Sequence, residues 1–306
     1  MVRSRRPVDL ALTLGLLQHG GRRDPCVRVT EQGVWRATQT PAGPATTFLR
    51  SRDATTIEAR AWGDGAGRAL EDVADLIGAA DDPPPLGGVH PLVTALARRL
   101  SGLRIGRTGA VIDALVPTVL AQRVIGAEAC ASHIAMVRAA GRLAPRPADR
   151  DLIGIVPPPQ LLLPPEPRWL TSTPSWKFHR WGVERRRATT IQVAASYAHR
   201  FASPVGPLAD TRRRLSALPG VGPWTLNRVA MLALGDADAV DVGDYWLKHV
   251  VSHALTGEAR GTDERMLELL EPWRGQRGRV CRLLLHGAPA LPRFGPRSPF
   301  RNLAAH

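Results

Sequence analysis

Cysteine is nearly missing from this chain. Cys26, Cys130 and Cys281 stand far apart in 306 residues, with no CxxC pair among them. That count excludes a disulfide framework, a zinc finger and a four-cysteine iron–sulfur cluster. Lysine is scarcer still, with only Lys177 and Lys248. No stretch approaches the ~18 consecutive apolar residues of a membrane span, so no membrane partner is expected. The opening "MVRSRRPVDLALTLGLL" superficially resembles a signal peptide. Asp9 interrupts its apolar run, however, and no small-x-small cleavage site follows before "GGRRDP". The expectation is an amphipathic segment in a cytoplasmic chain.

Arginine is what the chain has in excess. It gives nearly all of the basic residues and a formal net charge of +14, which points to a polyanionic partner. Arginine suits bidentate contacts with phosphate. Composition bias in an Ala-, Arg- and Pro-rich chain explains part of the Arg-to-Lys ratio, but much less of the charge. A hydrophobic fraction of 44% is enough for real cores, and the length suits two domains.

Thr, Val and Trp alternate loosely in "VRVTEQGVWRATQT" and "ATTFLRSRDATTIEARAWG", predicting short strands in an α+β domain over residues 1–82. "DDPPPLGG" reads as a linker. From there to residue 306 the apolar residues recur at three- and four-residue spacing, as in "AVIDALVPTVLAQRVIGAEACASHIAMVRAAG". "PPPQLLLPPEP" at 157–167 cannot be helix and reads as a crossing loop. The fold class expected is mainly α: an all-helical domain over 83–306, in two lobes with a cleft, behind a small α+β domain.

The most informative stretch is "LSALPGVGPWTLNRVAMLAL", with the hairpin itself at 215–230. Leu215 and Leu218 precede a Gly-Val-Gly turn, and Val229, Leu232 and Leu234 follow it. Gly220 and Gly222 permit positive φ and close backbone approach. Pro223 stands where a helix takes proline, in its first turn. The free amides of such a helix start, Thr225 among them, bind anions, and a DNA phosphate fits. An ordinary helix-turn-helix joint is the plainer alternative, but the full apolar–Pro–Gly–apolar–Gly pattern is the helix-hairpin-helix signature. Twenty positions after Trp224, Asp244 opens a further helix in "GDADAVDVGDYWLKHVV". Alone, that aspartate reads as an N-cap. Behind the hairpin it completes a helix-hairpin-helix–Gly/Pro–Asp arrangement.

Here the chain resembles the helix-hairpin-helix base-excision DNA glycosylases, and more narrowly the 3-methyladenine DNA glycosylase II type, most strongly over 112–136 and 207–251. The resemblance implies a monofunctional enzyme that hydrolyses the N-glycosidic bond of damaged, alkylated bases in double-stranded DNA, acting as a cytoplasmic, nucleoid-associated monomer. The family's bifunctional lyases carry a lysine two positions after the second hairpin glycine; this chain has Trp224. The resemblance makes Asp244 the catalytic carboxylate, stabilising the cationic sugar. Trp224, Tyr245 and Trp246 would form the aromatic base pocket, with core packing the alternative for Trp246. Gln122 and Arg123, in "VLAQRVIGAEA", would be the wedge that fills the gap left by a flipped base. Gly220, Gly222 and Thr225 would hold the DNA backbone. The carbonyls of Ser216, Leu218 and Val221 would hold a Na+ or K+ ion, with no other cofactor and no iron–sulfur cluster. The chain departs from the type at three places. Arg123 replaces an apolar wedge, Arg228 replaces an aromatic four residues past Trp224, and no aromatic is evident after "PWRGQRGRV". Two other readings stay open: an oxidised-guanine glycosylase, and a non-catalytic protein that binds damaged DNA.

Overall fold

Val34 and Leu49 face one side of a strand pair, and Trp35 and Phe48 face the other; all four are buried. Both faces of the N-terminal sheet are therefore covered. The sheet has five antiparallel strands in the order β1-β5-β4-β3-β2. These are β1 (Val2–Arg3), β2 (Val27–Thr30), β3 (Gly33–Thr40), β4 (Gly43–Ser51) and β5 (Thr56–Trp62). The Val34 face packs on the short helix Leu10–Leu14, on Val73, Leu76 and Ile77, and on Val137. The Trp35 face packs on Ala144, Ile155, Leu161 and Leu163, far along the chain. The alternation in the strands is loose because neither face meets water.

The computed structural model describes residues 1–152, 154–156, 160–201, 206–291 and 300. The first three residues of the expected crossing loop at 157–167 lie outside these. Its remainder runs without helix as far as Glu166, and Leu162 bridges Leu143. Beyond the sheet the chain is mainly helical. One apolar cluster gathers the helix Val111–Leu120, the helix Arg185–Ser196 and the hairpin residues Leu215, Leu218, Val221, Val229 and Leu232. A second gathers Val93 and Leu96 with Leu247, Val251, Met266, Trp273 and Leu284. Among the described residues, no helix is long and apolar enough to cross a membrane.

Two expected elements are interrupted. The helical pattern over 111–140 breaks into Val111–Leu120 and Gly126–Ala140. The break holds Gln122 and Arg123, and Arg123 is the only non-glycine with positive φ among the described residues, at 56°. The 81–88 linker has no regular structure, yet it is packed. Asp81 pairs with Arg279 and accepts the N–H of Ile105, and Leu86 is buried.

Candidate active site

The hairpin consists of the helix Leu208–Ser216, a turn, and the helix Pro223–Val229, with Pro223 in its first turn as expected. A π-helical segment, Ala230–Leu234, continues it to Gly235. The two glycines differ. Gly220 has φ +83°, and a Cβ there would stand 2.1 Å from Thr190 Oγ1, so this position requires glycine for internal packing. Gly222 is extended, and a Cβ there would meet nothing within 4 Å.

Gln122 crosses to this turn. Its Nε2 donates to the Gly220 carbonyl at 2.9 Å and to Thr225 Oγ1 at 2.8 Å. This bears on two residues expected at the DNA surface. Gln122 braces the hairpin through its amide. Thr225 is buried with its hydroxyl on that amide, so only its backbone N–H can serve a phosphate. Of the two wedge positions, exposed Arg123 is the one presented at the surface.

Asp244 is half-buried, and its two oxygens have different work. Oδ1 accepts the backbone N–H groups of Trp246 at 2.8 Å and Leu247 at 2.9 Å, where the helix Leu247–Thr256 begins. Oδ2 accepts the indole N–H of Trp224 at 3.2 Å. One carboxylate thus joins the hairpin tryptophan to the start of the next helix. Beside it, Tyr245 and Trp246 are 71% and 53% exposed, with rings edge-to-face at 5.2 Å. Core packing is therefore excluded for Trp246. Ser216 is exposed, while Leu218 and Val221 are buried, with Val221 N–H donating to the Leu218 carbonyl at 3.1 Å.

The sequence did not reveal what Arg228 does. Its Nη1 meets Oδ2 of buried Asp241 at 3.0 Å. Burial pushes the Asp241 carboxyl up from the ordinary range, Arg228 pulls it down, and the Asp244 charge pushes it up again. The arginine that replaces the expected aromatic is thus half of an ion pair. Arg279 and Arg282, on the helix Arg277–Gly287 where a late aromatic was expected, also turn inward. Arg279 pairs with Asp81, and Arg282 donates to the carbonyls of Arg104 and Leu12. Sequence reasoning also missed Arg185 and Arg186. Exposed at the start of their helix, they share a groove with Thr189, Thr190, Pro219 and Gly220 at the hairpin turn. Helical position could have flagged them as a basic pair; only the fold sets them beside Gly220.

A helix-hairpin-helix followed by a carboxylate bonded to the hairpin tryptophan, behind an N-terminal antiparallel sheet, defines the class: the chain has the fold of the helix-hairpin-helix DNA glycosylases. It aligns with a 3-methyladenine DNA glycosylase of Archaeoglobus fulgidus at a TM-score of 0.70 and 16% identity, covering 93% of this chain and 97% of that one. It aligns with an 8-oxoguanine glycosylase/lyase of Clostridium acetobutylicum, solved with double-stranded DNA containing cytosine opposite 8-oxoguanine, at a TM-score of 0.63 and 11% identity, covering 93% and 96%. At these identities the likeness is one of fold. In sequence, it is 30% identical over 164 residues to a probable bifunctional transcriptional activator/DNA repair enzyme AlkA of Mycobacterium tuberculosis. That match spans 53% of this chain and only 31% of the relative. No family model matches the chain. The family-level resemblance drawn from residues 207–251 stands.

Proposed function

We propose that the chain is a monofunctional DNA glycosylase that removes alkylated bases from double-stranded DNA. The observation that carries this reading is the Trp224–Asp244 hydrogen bond, which holds the carboxylate between the hairpin and the exposed rings of Tyr245 and Trp246. A damaged base must leave the stack before its glycosidic bond can be reached. Bond cleavage develops positive charge on the sugar, and an ionised Asp244 stabilises it and orients the attacking water. Trp224, Tyr245 and Trp246 attract a cationic alkylated base by cation–π contact, worth roughly 0.5–2 kcal/mol. Arg123 enters the gap. Gly220, Gly222 and the first-turn amides hold phosphate, with Arg185 and Arg186 beside them.

The monofunctional reading is supported by Trp224 at the hairpin and by the partners of the two lysines. Lys248 Nζ is bound to Asp263 at 3.2 Å, and Lys177 lies over the Trp176 ring. The carbonyls of Ser216, Leu218 and Val221 are oxygen donors of the kind Na+ or K+ takes. The Leu218 carbonyl, with one hydrogen bond accepted, keeps a second lone pair. An ion there would tie the turn to a phosphate.

The Arg228–Asp241 pair favours a second reading for the substrate. A guanidinium on the pocket wall repels a cationic base and can donate to the oxygen and nitrogen acceptors of a neutral, oxidised purine. Single-turnover base release from duplexes carrying 3-methyladenine, 7-methylguanine and 8-oxoguanine decides among the readings. Release of the methylated bases supports alkyl-base removal, and selective release of 8-oxoguanine supports the neutral-purine reading. Tight binding without release would leave a damage-binding protein. Strand nicking or borohydride trapping would overturn the monofunctional assignment.

A further inference from the structure

We propose that Asp24, Cys26 and His133, with His19 as the fourth ligand, form a buried site for a zinc ion. One ligand atom from each of Asp24, Cys26 and His133 lies within 4.8 Å of the others, and all three residues are buried. The site is built by a tight turn. Asp24 Oδ1 accepts the N–H groups of Cys26 at 2.8 Å and Val27 at 2.9 Å, and Oδ2 accepts Gly20 N–H at 2.6 Å. These bonds hold the carboxylate still and seat the Cys26 thiol just before β2. His133 reaches the same point from the helix Gly126–Ala140.

His133 is what the rest of the protein leaves unexplained. It is 6% exposed, and its Nδ1 has no hydrogen-bond partner. Its Nε2 stands 3.3 Å from Asp24 Oδ2 but is not aligned for a hydrogen bond. Buried polar atoms are nearly always paired, and exceptions mark a bound ion or a functional role. The His19 ring is edge-on to that of His133 with centres 5.7 Å apart. Two imidazoles on one tetrahedral zinc, at Zn–N distances of ~2.0–2.1 Å, have centres roughly 5 Å apart. His19 lies outside the three-residue cluster, and a rotation of its ring toward His133 would bring in the fourth ligand.

The charges also balance. One carboxylate and one thiolate neutralise a dication, so the filled site buries no net charge. Zinc binding forms a Zn–S bond, breaks the Cys26 S–H bond and releases that proton to solvent. A mixed nitrogen, oxygen and sulfur donor set suits zinc and disfavours magnesium or calcium. The ion would tie the entry to β2 to the helix that begins three residues after Arg123. Its role is to brace that helix.

The test is a titration of chelator-treated full-length protein with ZnCl2, followed by thermal melting, and with CoCl2, followed by absorbance. The expected result is one equivalent bound, a raised melting temperature and a thiolate-to-cobalt charge-transfer band. Cys26→Ser should abolish the band and weaken zinc binding by about a hundredfold or more, while Cys130→Ser keeps both. Circular dichroism of each variant separates ligand loss from misfolding. If a variant misfolds, the native chain alone decides, through its zinc stoichiometry and its cobalt band. Absence of binding or of the band in the native chain, or a band lost with Cys130→Ser and kept with Cys26→Ser, overturns the site.

Discussion

The indole N–H of Trp224 meets Oδ2 of Asp244 at 3.2 Å, while Oδ1 of the same carboxylate holds two backbone N–H groups of the next helix. The hairpin and the helix after it are thereby fastened to one side chain. A carboxylate held on both sides is fixed in place before any substrate arrives, which is what electrostatic catalysis requires.

Replacing Asp244 with Asn should reduce base release by about a hundredfold to a thousandfold, since the charge is lost while an oxygen remains to cap the helix. DNA binding, read by fluorescence anisotropy, should survive. Asp241→Asn should act differently. It leaves the Arg228 guanidinium without its buried partner, so it should lower the melting temperature. Asp210, paired with Arg213 on the first hairpin helix, is the neutral control.

The two hairpin glycines should separate folding from binding. Gly220→Ala forces a Cβ against Thr190 at a positive φ, so it should destabilise the protein as well as weaken binding. Gly222→Ala meets open space and should leave the melting temperature within about 0.5 kcal/mol of wild type. It should still weaken binding to every duplex alike. Unchanged binding by Gly222→Ala would remove that residue from the DNA surface.

Arg123 holds a left-handed backbone with φ of 56°, a conformation that costs a non-glycine residue about 1–2 kcal/mol. Arg123→Gly should therefore stabilise the protein, and Arg123→Ala should not. Both should lose excision most in matched duplexes and least at mismatches, where flipping is easier. An equal loss on both substrates, with a salt dependence shallower by roughly one unit of slope, would make Arg123 a phosphate contact instead.

Burial raises the Asp113 carboxyl to about 6, with Arg36 opposing the rise. Its folded value lies above the unfolded value of about 3.9. The native state thus holds this proton more tightly, and stability is lost as pH rises through 6. Asp113→Asn should gain on wild type between pH 4.5 and pH 7.5 in paired thermal melts. Parallel curves would show that this carboxyl is not strained.

The sequence by itself determined the hairpin and the place of Asp244. Glycine at a tight turn, proline in a first helical turn and aspartate ahead of a helix are local demands of the backbone, met within a few residues. It also placed Trp224 at the hairpin position where the family's lyases carry lysine. Periodicity reports which face of an element is apolar, but not which distant side chain will meet it. So it could not show that Gln122 braces Thr225 across 103 positions, or that Asp81 and Arg279 pair across 198. The pairing of Arg228 with Asp241 was equally hidden, although only 13 positions separate them, because a loop returns between them. The tertiary structure decided those partners, and with them the roles. The Gln122 amide is bonded to the hairpin turn, and the Arg228 guanidinium faces a buried carboxylate.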